Sequence, residues 1–140
     1  MERVYPVIFT KTKDAEDTVL IEVPDLGILT EGYGMADAIY MARDAIGLHG
    51  ITKEDMGVII AEASDMKEID LSKAEFADSG ESCISLVDID FDEYRKKVDN
   101  KMVRKNVTIP SWLNKAAERE NINVSKVLQE ALMEKVGMVH

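Results

Sequence analysis

The stretch Val103-Arg104-Lys105-Asn106-Val107-Thr108-Ile109-Pro110-Ser111-Trp112-Leu113 alternates in character as far as Ile109 and changes period at Pro110. Read as a strand, it puts Val103, Val107 and Ile109 on one face with the alkyl stem of Lys105, and Arg104, Asn106 and Thr108 on the other. Helical spacing takes over near Ser111, with Trp112, Leu113, Ala116 and Ala117 apolar. Asn121 tolerates the left-handed conformation that a helix stop needs. Asn123 is suited to cap a second helix in which Val124, Val127, Leu128, Ala131, Leu132 and the stem of Lys135 share a stripe. The unit reads strand, helix, helix.

A piece of about 40 residues rarely sustains a core alone, and its single strand has no internal partner. Two copies are therefore expected to lend one strand each to an antiparallel ribbon. Val103, Val107, Ile109, Trp112, Val127, Leu128 and Leu132 are the expected dimerisation contacts. The opposite, donor-rich face of such a ribbon fits the major groove of DNA.

Working back from this unit, the chain changes character. Residues 1–100 hold 10 Lys+Arg against 23 Asp+Glu, whereas residues 101–140 hold 7 against 4. An acidic body and a mildly basic tail suit different partners, because the field of a whole domain steers association by sign. The hydrophobic content of 46% argues against general disorder in a chain of 140 residues. Cys83 has no second cysteine to pair with, and the start Met-Glu-Arg-Val-Tyr-Pro lacks a signal-peptide apolar run, so a cytoplasmic protein is expected. No stretch approaches the roughly 20 apolar residues that a membrane helix requires.

In the acidic part, Arg3 to Thr10 reads as a strand with Tyr5, Val7 and Phe9 on one face and Val4 and Ile8 on the other. Pro6 predicts an edge or a bulge at its position, since proline cannot donate to a ladder. Thr18 to Val23 and Ile28 to Glu31 read as two further antiparallel strands, broken by Pro24-Asp25-Leu26-Gly27. Met35, Ala38, Ile39, Ala42, Ala45 and Ile46 form a helical stripe that should cover one face of the sheet, with Gly47 to Gly50 expected to stop the helix. Asp65 to Glu81 is polar enough to read as surface loop, Cys83 to Asp90 as a last strand, and Phe91 to Val98 as a short linking helix.

The C-terminal pattern, Arg-x-Asn-Val-Thr-Ile-Pro-x-Trp-Leu from Arg104 followed by Ile-Asn-x-Ser-x-Val-Leu-Gln-Glu-Ala-Leu from Ile122, resembles the ribbon-helix-helix domain of HicB antitoxins. Tyr5-Pro6-Val7-Ile8-Phe9, Val23-Pro24-Asp25-Leu26, Thr30-Glu31-Gly32, the Ala38 to Leu48 helix and Val87-Asp88-Ile89-Asp90 with Tyr94-Arg95-Lys96-Lys97 extend the resemblance over nearly the whole chain. It implies an α+β protein: a partial RNase-H-like domain (residues 1–98), an antiparallel sheet covered by a helix, then a ribbon-helix-helix domain (residues 99–140). The implied partners are a HicA-type toxin, which is a small basic ribonuclease, operator DNA, and a second copy of the chain.

In that fold Arg104, Asn106 and Thr108 would read bases, arginine suiting guanine O6/N7 and asparagine suiting adenine N6/N7. The amides of Val124 and Ser125 would hold a phosphate, with Lys101, Lys105 and Lys126 beside it. Thirteen Asp+Glu against two Lys+Arg between Glu54 and Glu93 could imitate the phosphates that a basic RNA-binding toxin expects. Glu22, Asp25, Glu31, Asp88 and Asp90 are the acidic candidates for toxin contact. The chain departs from the family where Gly27-Ile28-Leu29 replaces a Pro-Gly-Cys turn, Ala61-Glu62-Ala63-Ser64 replaces a Pro-Glu-Pro-Ser loop, and Asn121 stands for glycine.

An RNase-H-like sheet invites a magnesium-binding carboxylate cluster, for which Asp25, Asp88 and Asp90 are the candidates. A turn aspartate and two aspartates on one strand face are equally accounted for by backbone capping and solvation. His49 and His140 have no neighbouring ligand at metal spacing, and Cys83 has no histidine partner. The sequence thus predicts no catalytic residue, metal or cofactor. Its rivals are a ribbon-helix-helix repressor with a small-molecule-sensing N-terminal domain and, less favoured, a metal nuclease.

Overall fold

Runs of β-branched and aromatic residues build the sheet. In the computed structural model, which describes residues 1–137, strands β1 (Glu2–Lys11), β2 (Thr18–Val23), β3 (Ile28–Tyr33) and β4 (Glu81–Asp90) pair antiparallel in the order β3-β2-β1-β4. Helix α1 (Met35–Asp55) packs on one face and α2 (Phe91–Val98) follows β4. Beyond them lie α3 (Ser111–Arg119) and α4 (Val124–Lys135). The chain divides into two compact units, Met1–Asn100 and Lys101–His140.

The core of the first unit follows from the period-two faces. Tyr5, Val7 and Phe9 of β1, Val19, Ile21 and Val23 of β2, and Val87 and Ile89 of β4 are buried together with Ala38, Ala42 and Ile46 of α1 and Phe91 of α2. Each large side chain so buried contributes on the order of 1.5 to 3 kcal/mol.

One sequence expectation is corrected on α1. The helix does not stop at Gly47 to Gly50 but runs on to Asp55. The glycines act as close-approach positions instead: a Cβ on Gly47 would lie 2.5 Å from the Tyr94 ring and one on Gly50 2.0 Å from the Phe91 ring. Packing against α2 thus offsets the helix propensity lost at each glycine, about 1 kcal/mol relative to alanine.

The second face of the sheet is also covered. Pro6, Ile8 and Thr10 are buried, although they point away from α1. Asp65 to Glu81, expected as plain surface loop, contains two 3-10 turns, Met66–Glu68 and Leu71–Lys73, capped by the side chains of Asp65 and Asp70. The chain leading into it is tied down by Tyr5, whose hydroxyl donates to the Ala61 carbonyl at 2.6 Å, and by Arg3, which donates to the Ile60 carbonyl at 3.1 Å. Polar side chains here close turns and anchor a strap, which is why its acidity did not leave it loose.

Pro6 is accommodated by the ladder. β1 lies between two neighbours, but its pairing with β2 extends only from Ile8 to Lys11, so at Pro6 the strand is paired with β4 alone. Cys83 lies in β4 and is exposed.

In the second unit the expected strand Val103 to Ile109 is not formed. Residues 101–110 carry no regular secondary structure and are exposed. The physical reason is that a strand needs a partner to satisfy its ladder, and this segment has none within its own chain. The α3–α4 junction follows the sequence closely. Asn121 adopts φ +54°, its amide donates to the Glu118 carbonyl at 3.1 Å, and the Ile122 amide donates to Ala117 at 3.0 Å. These two bonds make the left-handed helix stop that asparagine can supply in place of glycine.

Candidate functional site

Among the described residues of the second unit none is buried, and only Ala116, Ala117 and Leu128 are even half-buried. Val103 is 72% exposed and Trp112 70%, and Val107, Ile109, Val127 and Leu132 are exposed as well. So many large apolar side chains exposed within one 40-residue unit are what an interface would cover. Arg104, Asn106 and Thr108, with Lys101 and Lys105, lie in the exposed segment before α3. Val124, Ser125 and Lys126 form the first turn of α4, where the Asn123 side chain accepts a hydrogen bond from the Lys126 amide at 3.1 Å. That cap leaves the preceding amides at a positive helix end, which suits an anion.

The acidic candidates of the first unit divide into two sets. Glu22, Asp25 and Asp90 do structural work. Glu22 accepts from the Glu75 amide at 3.0 Å, and Asp25 takes both the amide of Ser64 at 2.9 Å and its hydroxyl at 2.5 Å. Asp90 caps α2 by accepting from the amides of Asp92 and Glu93. The Glu93 amide is also the main reason that its carboxyl is held below the usual aspartate value. Glu31 and Asp88 are exposed, and Asp88 pairs with Arg43 at 3.0 Å.

Among the described residues no group of three His, Cys, Asp or Glu is arranged to hold a metal, and Asp25 is committed to Ser64. His140 lies outside the described residues. No described helix is long and apolar enough to cross a membrane.

Arg43 was not singled out from the sequence. Its Nε donates to the Asp88 carbonyl at 3.0 Å while its Nη2 bonds the Asp88 carboxylate. The available signal was its position off the apolar stripe of α1.

The first unit is an α+β body with structural acids and an acidic surface, and the second is a small helical unit whose described residues include no buried side chain. Residues 5–131 match the HicB-like antitoxins of bacterial toxin-antitoxin systems, and the chain belongs to that family. Among solved structures it is similar to one described as a toxin-antitoxin complex from Streptococcus pneumoniae, with 25% identity and a TM-score of 0.63 over 96% of this chain and 99% of the other. It is also similar to the antitoxin HicB of Burkholderia pseudomallei, with 25% identity and a TM-score of 0.50 over 96% of each chain. No curated protein matches the chain significantly.

Proposed function

We propose that the chain is a non-enzymatic cytoplasmic antitoxin. Its partial RNase-H-like domain (residues 1–98) binds and inhibits a HicA-type mRNA-cleaving toxin. Its ribbon-helix-helix domain (residues 99–140) dimerises and represses the operon by binding operator DNA. The observation that carries the reading is the second unit, whose described residues include no buried side chain. A second copy supplies the missing core, and the same pairing turns residues 103–109 into a ribbon that presents Arg104, Asn106 and Thr108 to base edges.

Toxin recognition is assigned to the first unit because its 23 acidic against 10 basic residues oppose the charge of a protein built to grip RNA. Glu31 and Asp88 are the surface contacts favoured for this role. Glu22, Asp25 and Asp90 support it from within the fold.

The test uses the full chain with a HicA-type toxin. The chain should suppress RNA cleavage by that toxin and retard a DNA fragment from its own promoter. Cleavage at full rate in the presence of excess chain would reject the first arm, and unretarded promoter DNA the second.

One observation favours a second reading, a repressor whose first unit senses a small molecule. A cavity of about 350 Å³ lies between α1 and α2, lined by Tyr40, Arg43, Asp44, Tyr94 and Lys97 among others. A metabolite that altered promoter binding without any toxin present would support it.

A further inference from the structure

We propose that the free edge of β4, from Ser82 to Leu86, is where an extended strand of a basic protein partner adds to the sheet. This rests on the antitoxin reading, since it names the docking edge for the toxin. Sheet order leaves β4 paired with β1 alone, and their register runs unbroken from Glu2 opposite Asp90 to Lys11 opposite Glu81. No bulge turns the edge away. Ser82-Cys83-Ile84-Ser85-Leu86-Val87 contains neither a charge nor a proline. Soluble proteins usually protect such an edge with one of those devices, because its unpaired backbone groups are a template for another strand. The opposite edge, β3, is only six residues long and carries Glu31.

Two independent features fix which groups face outward. Pro6, which has no amide hydrogen, stands opposite Leu86. In an antiparallel ladder that suits a non-hydrogen-bonded pair, whose backbone groups point away from each other. The Asp88 carbonyl, two residues along, accepts from Arg43, a residue of α1 and not of β1. Both place the backbone of Ser82, Ile84, Leu86 and Asp88 on the free side. Arg43 plugs the Asp88 end, and at Leu86 the carbonyl holds only a long 3.4 Å bond from the neighbouring Ser85 hydroxyl, which an incoming strand can displace. Beside them, Leu86 is 55% exposed and Val4 46%, on the sheet face away from α1, which gives an incoming strand an apolar landing.

Charge selects the occupant. A second copy of the first unit would bring its own 23 acids and 10 bases to the same edge, and like fields disfavour that approach. A strand flanked by Lys or Arg meets Glu81 and Asp88 at either end of the uncharged stretch instead.

The test is amide exchange on the full chain, with and without a HicA-type toxin in catalytically inactive form. Toxin should slow exchange at Ile84 and Leu86 at least tenfold. Leu86→Pro should weaken toxin binding at least tenfold with the β1 ladder intact, since that amide faces outward. Should this variant fold poorly, the exposed side chain permits Leu86→Lys and Leu86→Glu, of which the lysine should bind the basic toxin more weakly. Toxin that binds tightly while both amides stay unprotected would overturn the edge assignment and leave the antitoxin reading standing. Protection that grows with chain concentration in the absence of toxin would overturn it in favour of a second copy. Absence of any toxin complex would overturn both.

Discussion

The Phe91 ring packs on the backbone of α1 at Gly50, so closely that a Cβ on that glycine would fall 2.0 Å from the ring carbon Cε1. Helix propensity alone makes Gly50→Ala stabilising by about 1 kcal/mol. Overpacking against a buried ring decides the sign the other way. Gly50→Ala should destabilise the first unit by about 1 to 3 kcal/mol in urea unfolding, and an unchanged or raised midpoint would contradict the packing described.

Asp25 and Ser64 form one tie of the strap over the second face, alongside Glu22 and the Glu75 amide. Asp25→Ala removes both acceptors at once. It should cost about 1 to 3 kcal/mol, as for a charged hydrogen-bond acceptor lost at a half-buried site, and speed amide exchange from Ser64 onward. Promoter binding should be unaffected, since that activity is assigned to the other unit.

Tyr94 supplies a pH dependence. Burial, and then the hydrogen bond its hydroxyl donates to Asp44 at 3.0 Å, raise its pKa from 10.0 to about 12. Folding thus favours the neutral phenol. The stabilisation is complete below the unfolded value and is lost as pH rises from there through the folded value. Wild-type stability should fall across that alkaline window, and Tyr94→Phe should flatten the fall. An equally steep decline in the variant would show that Tyr94 is not its source.

Trp112 is the only tryptophan, and it is 70% exposed. Pairing of two copies should move its fluorescence to shorter wavelength as the chain is concentrated. Trp112→Ala should weaken the dimer by about 3 kcal/mol or more. Emission that is independent of concentration, with a monomer mass throughout, would remove Trp112 from the interface.

If the ribbon forms as proposed, Arg104→Ala should lose about 1 to 3 kcal/mol of affinity for promoter DNA while leaving toxin binding intact. Lys101→Ala should weaken binding to every DNA sequence alike and reduce its salt dependence. The two titrations separate base reading from phosphate contact.

The sheet and its core were legible in the sequence because period-two faces and turn residues act locally. Tyr5, Val7 and Phe9 share one buried face as their alternation predicts, and the linking helix has the predicted bounds, Phe91–Val98. Features decided by distant residues were not legible. Gly47 and Gly50 look like helix stops until Tyr94 and Phe91 are seen packed on them. Asp25 reads as a turn aspartate serving its own backbone until Ser64, 39 residues later, takes both its oxygens. Arg43 shows its role only once sheet order places β4 at an edge.

Because the described part of Lys101–His140 keeps its greasy side chains outside, the promoter recognition proposed for it would belong to the encounter of two molecules and not to either one. Occupancy of the promoter will then climb more steeply than in proportion to the amount of protein made, and dilution by cell growth will release it sooner than a preassembled repressor would.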